Sequence, residues 1–161
     1  MACVHLFVGL NGSGKSTLAR SIAARDGAVW LSLDAVMREL HPELSFDAGA
    51  YGPIADRCRA LLWRLALEHL DRGVDVVLDW NQWSRGRREQ WRDAALAAGH
   101  VPVLHHVSTG LQVSVARARS RAATGDPESH PLDEASVRLF ANILEPPGDA
   151  ASEGMRVVVH G

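Results

Sequence analysis

The chain has 161 residues and a mass of 17.4 kDa, is 47% hydrophobic and 22% charged, and carries a net charge of −2 at pH 7. That composition fits one globular domain burying its own core and excludes disorder throughout; the charge excludes the overall basic field of a dedicated nucleic-acid binder. Cys3 and Cys58 are too few for a disulfide framework, and no apolar run approaches the roughly 20 residues of a spanning helix. With no leader-like segment before Val4, the expectation is a cytoplasmic protein.

Short apolar runs alternate with longer helical stretches, the pattern of an α/β protein with a parallel sheet. Cys3 to Val8 reads as the first buried strand, and Lys15 to Arg25 as a helix stopped by Asp26-Gly27. Val29 to Leu33 is the second strand. Asp34 is placed to cap a short helix to Leu40. Pro53 opens a long helix to about Arg72, with Ile54, Cys58, Leu61, Leu62 and Leu65 on one face. Val74 to Leu78 is the third strand, and Ser84 caps a helix ending near Ala98. Val101 to Val107 is the fourth strand, followed by a helix from Leu111 to about Ala123. The polar stretch from Thr124 to Pro131 reads as an exposed loop, Asp133 starts the last helix, and Met155 to Val159 is the fifth strand.

The first strand runs into Gly9-Leu10-Asn11-Gly12-Ser13-Gly14-Lys15-Ser16, a complete G-x-x-x-x-G-K-[ST] pattern in the strand-to-helix context its mechanism requires. Gly9, Gly12 and Gly14 let the backbone N–H groups of the loop, through Asn11 and Ser13, converge on phosphate oxygens. The helix dipole adds to this. Lys15 is expected to reach the β- and γ-phosphates and Ser16 to ligate Mg²⁺, with Thr17 as the neighbouring, largely structural hydroxyl. Of 17 basic residues, Lys15 is the one lysine. A chain that uses arginine everywhere else keeps a compact ammonium where a planar fork would fit poorly.

Two acids close strands at the edge where open α/β sheets bind ligands. Asp34 is the candidate general base for an attacking hydroxyl, or simply a helix cap. Asp79 is a candidate for holding Mg²⁺ or orienting the acceptor, or for capping a turn. Asn81 follows it, bracketed by Trp80 and Trp83, rings that form either a stacking wall for a planar substrate or a satellite of the core. Trp91 reads as core. Arg117 and Arg121 share a helix face beside the polar loop and suit a lid that closes over a triphosphate. Arg119 points elsewhere. Arg85, Arg87 and Arg88 fall in a first helical turn, where the dipole disfavours cations. That misfit hints at an anionic contact, with Arg85 and Arg88 as candidate acceptor contacts beside Arg38. The eight histidines read as surface or core.

These features resemble the small AAA-type P-loop kinases related to polynucleotide kinase and chloramphenicol phosphotransferase. The resemblance rests on Gly9 to Thr17, Ser32-Leu33-Asp34, Val77 to Asn81 with the arginine-rich helix after it, the Arg117/Arg121 pair, and Leu144-Glu145-Pro146-Pro147. It implies one P-loop kinase domain over residues 1–161, with a lid at about 117–131, and a five-stranded parallel sheet in order 2-3-1-4-5. It also implies ATP and Mg²⁺, Asp34 as base, Arg117 and Arg121 as lid arginines, and Asp79 at the acceptor or metal shell. Two positions depart from the family pattern. Met37 stands where the polynucleotide kinases carry an arginine, and Trp80 follows the third-strand Asp where relatives have small residues. The expected activity is phosphoryl transfer from ATP to a hydroxyl of a small-molecule or nucleotide-like acceptor. The rivals are a polynucleotide 5′-hydroxyl kinase and a regulatory P-loop ATPase acting through a protein partner. Nucleic acid is not the favoured partner, and no membrane partner is expected.

Overall fold

The computed structural model describes residues 1–125 and 132–161. Its strands are β1 (Cys3–Gly9), β2 (Val29–Ser32), β3 (Val76–Asn81), β4 (Val101–Val107) and β5 (Arg156–His160), all parallel, in the order β2-β3-β1-β4-β5. The helices are α1 (Lys15–Asp26), α2 (Leu33–Leu40), α3 (Tyr51–Leu70), α4 (Arg85–Ala97), α5 (Leu111–Thr124), α6 (Glu134–Ile143) and the one-turn α7 (Ala150–Glu153). The fold class and strand order are those expected. Residues 126–131 of the expected lid lie outside the described residues.

Alternation along the strands divides the core. Val4, Leu6 and Val8 of β1 face α2, α3 and α4, where Met37, Leu62, Ala66, Trp91 and Ala95 bury against them. Phe7 of β1 and Val77 of β3 face the other way, onto Ala19 and Ile22 of α1. A small separate cluster of Val115, Ala118 and Val137 joins α5 to α6.

Several expected boundaries move. β2 passes into α2 with no connecting loop, so the residue at the strand end does the capping. Ser32 Oγ accepts from the Ala35 N–H at 3.2 Å, and Asp34 falls inside the first turn. β3 runs on to Asn81, which puts Asp79 and Trp80 within the strand rather than after it. α3 starts at Tyr51, two residues before Pro53. Its buried stripe is Ala55, Cys58, Leu62, Ala66 and Leu70, so Leu61 and Leu65 are exposed. α7 has no counterpart in the sequence reading. Ser84 and Asp133 cap α4 and α6 as expected.

Candidate functional site

The phosphate loop is shaped by what packs behind it. A Cβ on Gly12 would lie 2.2 Å from the Ser114 carbonyl oxygen of α5, and one on Gly9 would lie 2.7 Å from that of Val107. Gly12 (φ 82°) and Gly14 (φ 100°) also hold the left-handed backbone that glycine alone adopts freely. The loop is tied to α5 through the Ser13 carbonyl, which accepts from Thr109 Oγ1 (2.9 Å) and from Arg117 Nη1 (3.2 Å).

Lys15 Nζ donates to the carbonyl oxygens of Gly9 (3.0 Å) and Leu10 (2.7 Å), which stations the ammonium at the loop. Burial lowers its pKa to about 8 against the opposing pull of Asp79 and Asp34; Arg121 pushes it the same way as burial. Asp79, on the face of β3 toward α1, is the hub on the other side. Its Oδ1 accepts from Ser16 Oγ (3.2 Å) and its Oδ2 from Trp30 Nε1 (2.9 Å). Burial pushes the Asp79 carboxyl up, and those two donors pull it back down. Trp30, which the sequence reading passed over as strand core, carries the Arg20 guanidinium 4.8 Å above its ring. Ser16 and Asp79 present hard oxygen donors, the ligand chemistry that suits Mg²⁺.

Asp34, Lys15, Ser16 and Asp79 line one cavity of about 280 Å³ with Asn11, Gly12, Gly14 and Arg121. Asn81 lines it too. Its Nδ2 donates to the Gly9 carbonyl (2.9 Å), while its Oδ1 is buried with no hydrogen-bond partner among the described residues. Trp80 lines the cavity and packs edge-on to Trp91 at 5.2 Å in the core. Trp83 also faces the cavity. Arg117 reaches the loop from outside the lining, while Arg119 turns away to pair with Glu134. The cavity wall includes Phe46, Tyr51, Arg59 and Phe140, which the sequence reading did not place there, and Arg87, for which it only hinted at an anionic contact. Phe46 and Tyr51 lay in an apparently unstructured connection, and only their size argued for burial against something.

Three acceptor candidates do not line this cavity. Arg88 is fully buried and forked onto Glu153, with Nε at 2.8 Å and Nη2 at 3.1 Å from its carboxylate oxygens. Its Nη1 donates to the carbonyls of Glu145 (2.9 Å) and Gln82 (3.3 Å). Arg85 pairs with Glu89 on the surface, and its N–H donates to the Glu145 carboxylate at 2.9 Å. For Arg85 and Arg88 the anions hinted at by their place in the first helical turn are thus internal carboxylates. Arg38 lines a neighbouring groove with Glu43, Asp47 and Leu139, not the main cavity. Thr17 is exposed at the first turn of α1.

Among the described residues, three of the histidines meet. His5 Nδ1 and His105 Nε2 are 2.9 Å apart, and His105 Nδ1 and His160 Nε2 are 3.0 Å apart, in a chain across β1, β4 and β5. Burial and the neighbouring rings hold His105 near pKa 3, so the chain is neutral. Among the described residues no group of His, Cys, Asp and Glu could hold a metal ion without added ligands. No helix among them is long and apolar enough to cross a membrane.

Comparison with known proteins agrees with this geometry. No curated protein is similar enough to the chain to match. Among solved structures, a candidate kinase from Chloroflexus aurantiacus J-10-fl superposes with a TM-score of 0.76 at 21% identity, over 98% of this chain and 86% of that one. Chaetomium thermophilum Kti12, solved with ADP-AlF3, gives 0.69 at 19% identity, over 97% and 88%. A gluconokinase from Sinorhizobium meliloti 1021 gives 0.56 at 20% identity, over 98% and 81%. Identities this low establish fold alone: the P-loop α/β fold with a five-stranded parallel sheet. Residues 4–147 match the model of the AAA domain family, so with its phosphate loop, five-stranded sheet and nucleotide site the chain belongs to that family.

Proposed function

We propose that the protein is an ATP-dependent kinase that transfers the γ-phosphoryl group to a hydroxyl of a small molecule, acting in the cytoplasm. The observation that carries this reading is that Asp34 shares one cavity with Lys15, Ser16 and Asp79, and that aromatic side chains line the same cavity. A switch or motor needs the loop; it does not need a second acid beside it.

In this reading the acceptor hydroxyl oxygen forms a bond to the γ-phosphorus as the bond from that phosphorus to the β,γ-bridging oxygen breaks. The hydroxyl proton passes to the Asp34 carboxylate. Lys15 holds the β- and γ-phosphates, and Arg121 with Arg117 neutralises charge that builds up on the transferring group. Ser16 and Asp79 would hold Mg²⁺, which supplies charge neutralisation on the phosphates when bound. Arg117 and Arg121 would belong to the lid. Positioning does most of the work.

A polynucleotide 5′-hydroxyl kinase is the second reading within this chemistry. It is weakened where the polynucleotide kinases of the family carry a phosphate-gripping arginine, because Met37 there is fully buried. The test is incubation with γ-labelled ATP and a pooled panel of metabolites, antibiotics and oligonucleotides. A phosphorylated small molecule is the expected product. Label on an oligonucleotide would favour the second reading, and brisk hydrolysis with no transfer would favour a regulatory ATPase.

A further inference from the structure

The far half of the cavity has a composition of its own. Two of the three phenylalanines, the single tyrosine and two of the five tryptophans line this one space, so its wall is built of rings. Phe46 stands between Tyr51 (ring centroids 5.5 Å apart) and Phe140 (5.0 Å), joining the α2–α3 connection, α3 and α6 into one aromatic edge. Trp80 and Trp83 supply the edge from β3 and the connection after it. A polyol needs a ring of hydrogen-bonding side chains, and this half offers few. A flat, apolar substrate body fits such a wall.

Two cations interrupt the rings. Arg59, from α3, is buried and pairs with Asp56, with Nη2 2.5 Å from Oδ1 of a carboxylate that is 71% exposed. Arg87, from the first turn of α4, is half-buried and lies 5.6 Å over the Trp83 ring. Among the described residues it has no carboxylate partner. Burial, with the charge of Arg59 added, pushes the Arg87 guanidinium below its usual pKa range, while Asp56 only partly compensates. Asp56 is thus the one carboxylate paired with either guanidinium among the described residues, and it is largely exposed, so Arg87 is half-buried without an ion-pair partner. Such an arrangement is costly unless an anion completes it.

We propose that the acceptor is a planar aromatic alcohol bearing one anionic group, carboxylate or phosphate, with its ring held by the aromatic wall, its anion on Arg87 and Arg59, and its hydroxyl toward Asp34. This rests on the kinase reading above, of which it names the acceptor class. Arg87 is the residue that decides specificity. Its guanidinium can fork onto either anion while stacked on Trp83.

The test uses four probes: 4-(hydroxymethyl)benzoate, its methyl ester, 4-(hydroxymethyl)phenyl phosphate and gluconate. Equilibrium binding to wild type, Arg87→Gln, Arg87→Lys and Trp83→Leu is followed by calorimetry, with ATP binding and melting temperature as controls. The inference expects at least one aromatic anion to bind at least about tenfold tighter than both the ester and gluconate. The benzoate and the phosphate separate the two anion sources. Arg87→Gln should erase that preference while ATP binding is kept, Arg87→Lys should restore part of it, and Trp83→Leu should weaken acid and ester alike. Equal binding of acid and ester, tighter binding of gluconate, or a preference that survives Arg87→Gln would overturn the inference. Label transfer is scored separately. Arg87-dependent binding with no phosphorylated product leaves the ligand class standing and removes the kinase reading beneath it.

Discussion

Ser16 and Asp79, 63 residues apart in the chain, meet at 3.2 Å because β1 and β3 are neighbours in the sheet. The same carboxylate accepts from Trp30 on β2, so three consecutive parallel strands converge on one acid at the mouth of the phosphate loop. The nucleotide half of the site is therefore built by the strand order itself.

Trp30 is a positioning residue for Asp79. Trp30→Phe removes a donor that opposes the upward push of burial, so the Asp79 pKa should rise further and the carboxylate should become a poorer oxygen ligand. The expected result is a roughly tenfold higher Mg²⁺ concentration for half-maximal nucleotide binding, with the largest effect at acidic pH. Magnesium titrations of both proteins at two pH values check it.

Lys15 gives nucleotide binding a pH dependence of definite sign. Its pKa in the empty site is lowered to about 8, and a bound triphosphate pulls it back up. Below pH 8 the ammonium is already charged and binding takes up no proton at this group. Above pH 8 each binding event takes up as much as about one proton, and affinity falls as pH rises. Calorimetry in buffers of different ionisation enthalpy reads that uptake directly, and Lys15→Arg should abolish it.

The Arg88–Glu153 pair is a structural clamp between the start of α4 and α7. Glu153→Gln or Arg88→Met strands a buried charge or buried acceptors, and should cost about 3–5 kcal/mol of unfolding free energy. Denaturant unfolding measures the loss. A variant that instead keeps its stability but loses acceptor affinity would return Arg88 to the binding site.

Gly12→Ala should be damaging for a reason separable from phosphate contact. The new Cβ would meet the Ser114 carbonyl at 2.2 Å on a backbone with φ of 82°. A loss of about 3 kcal/mol or more is expected. Gly27→Ala, at φ 66° but in open space, should cost roughly 1 kcal/mol. Thermal melts of the two variants compare packing with backbone strain.

The loop from Gly9 to Ser16, the alternating elements and the strand-end acids were legible in the sequence because each depends on short spacings that local physics dictates. The acceptor chamber was not. Phe46, Tyr51, Arg59, Arg87 and Phe140 come from the α2–α3 connection, α3, α4 and α6, and only packing these around the mouth of the sheet brings them together. Arg88 misled for a related reason. A cation at a helix N-terminus signals an anion nearby, but sequence spacing could not say that the anion was Glu153, 65 residues away. Asp34 was placed one role too many, since the abrupt passage from β2 to α2 gave the cap to Ser32.

The central claim is that Asp34 takes the proton of an acceptor hydroxyl. Single-turnover transfer of labelled γ-phosphate, measured for wild type and Asp34→Asn with the acceptor found in the panel, tests it most directly, with ATP affinity measured in parallel. The account predicts unchanged ATP affinity and a transfer rate lower by about 10²–10⁴-fold. Transfer at the wild-type rate by Asp34→Asn would contradict it.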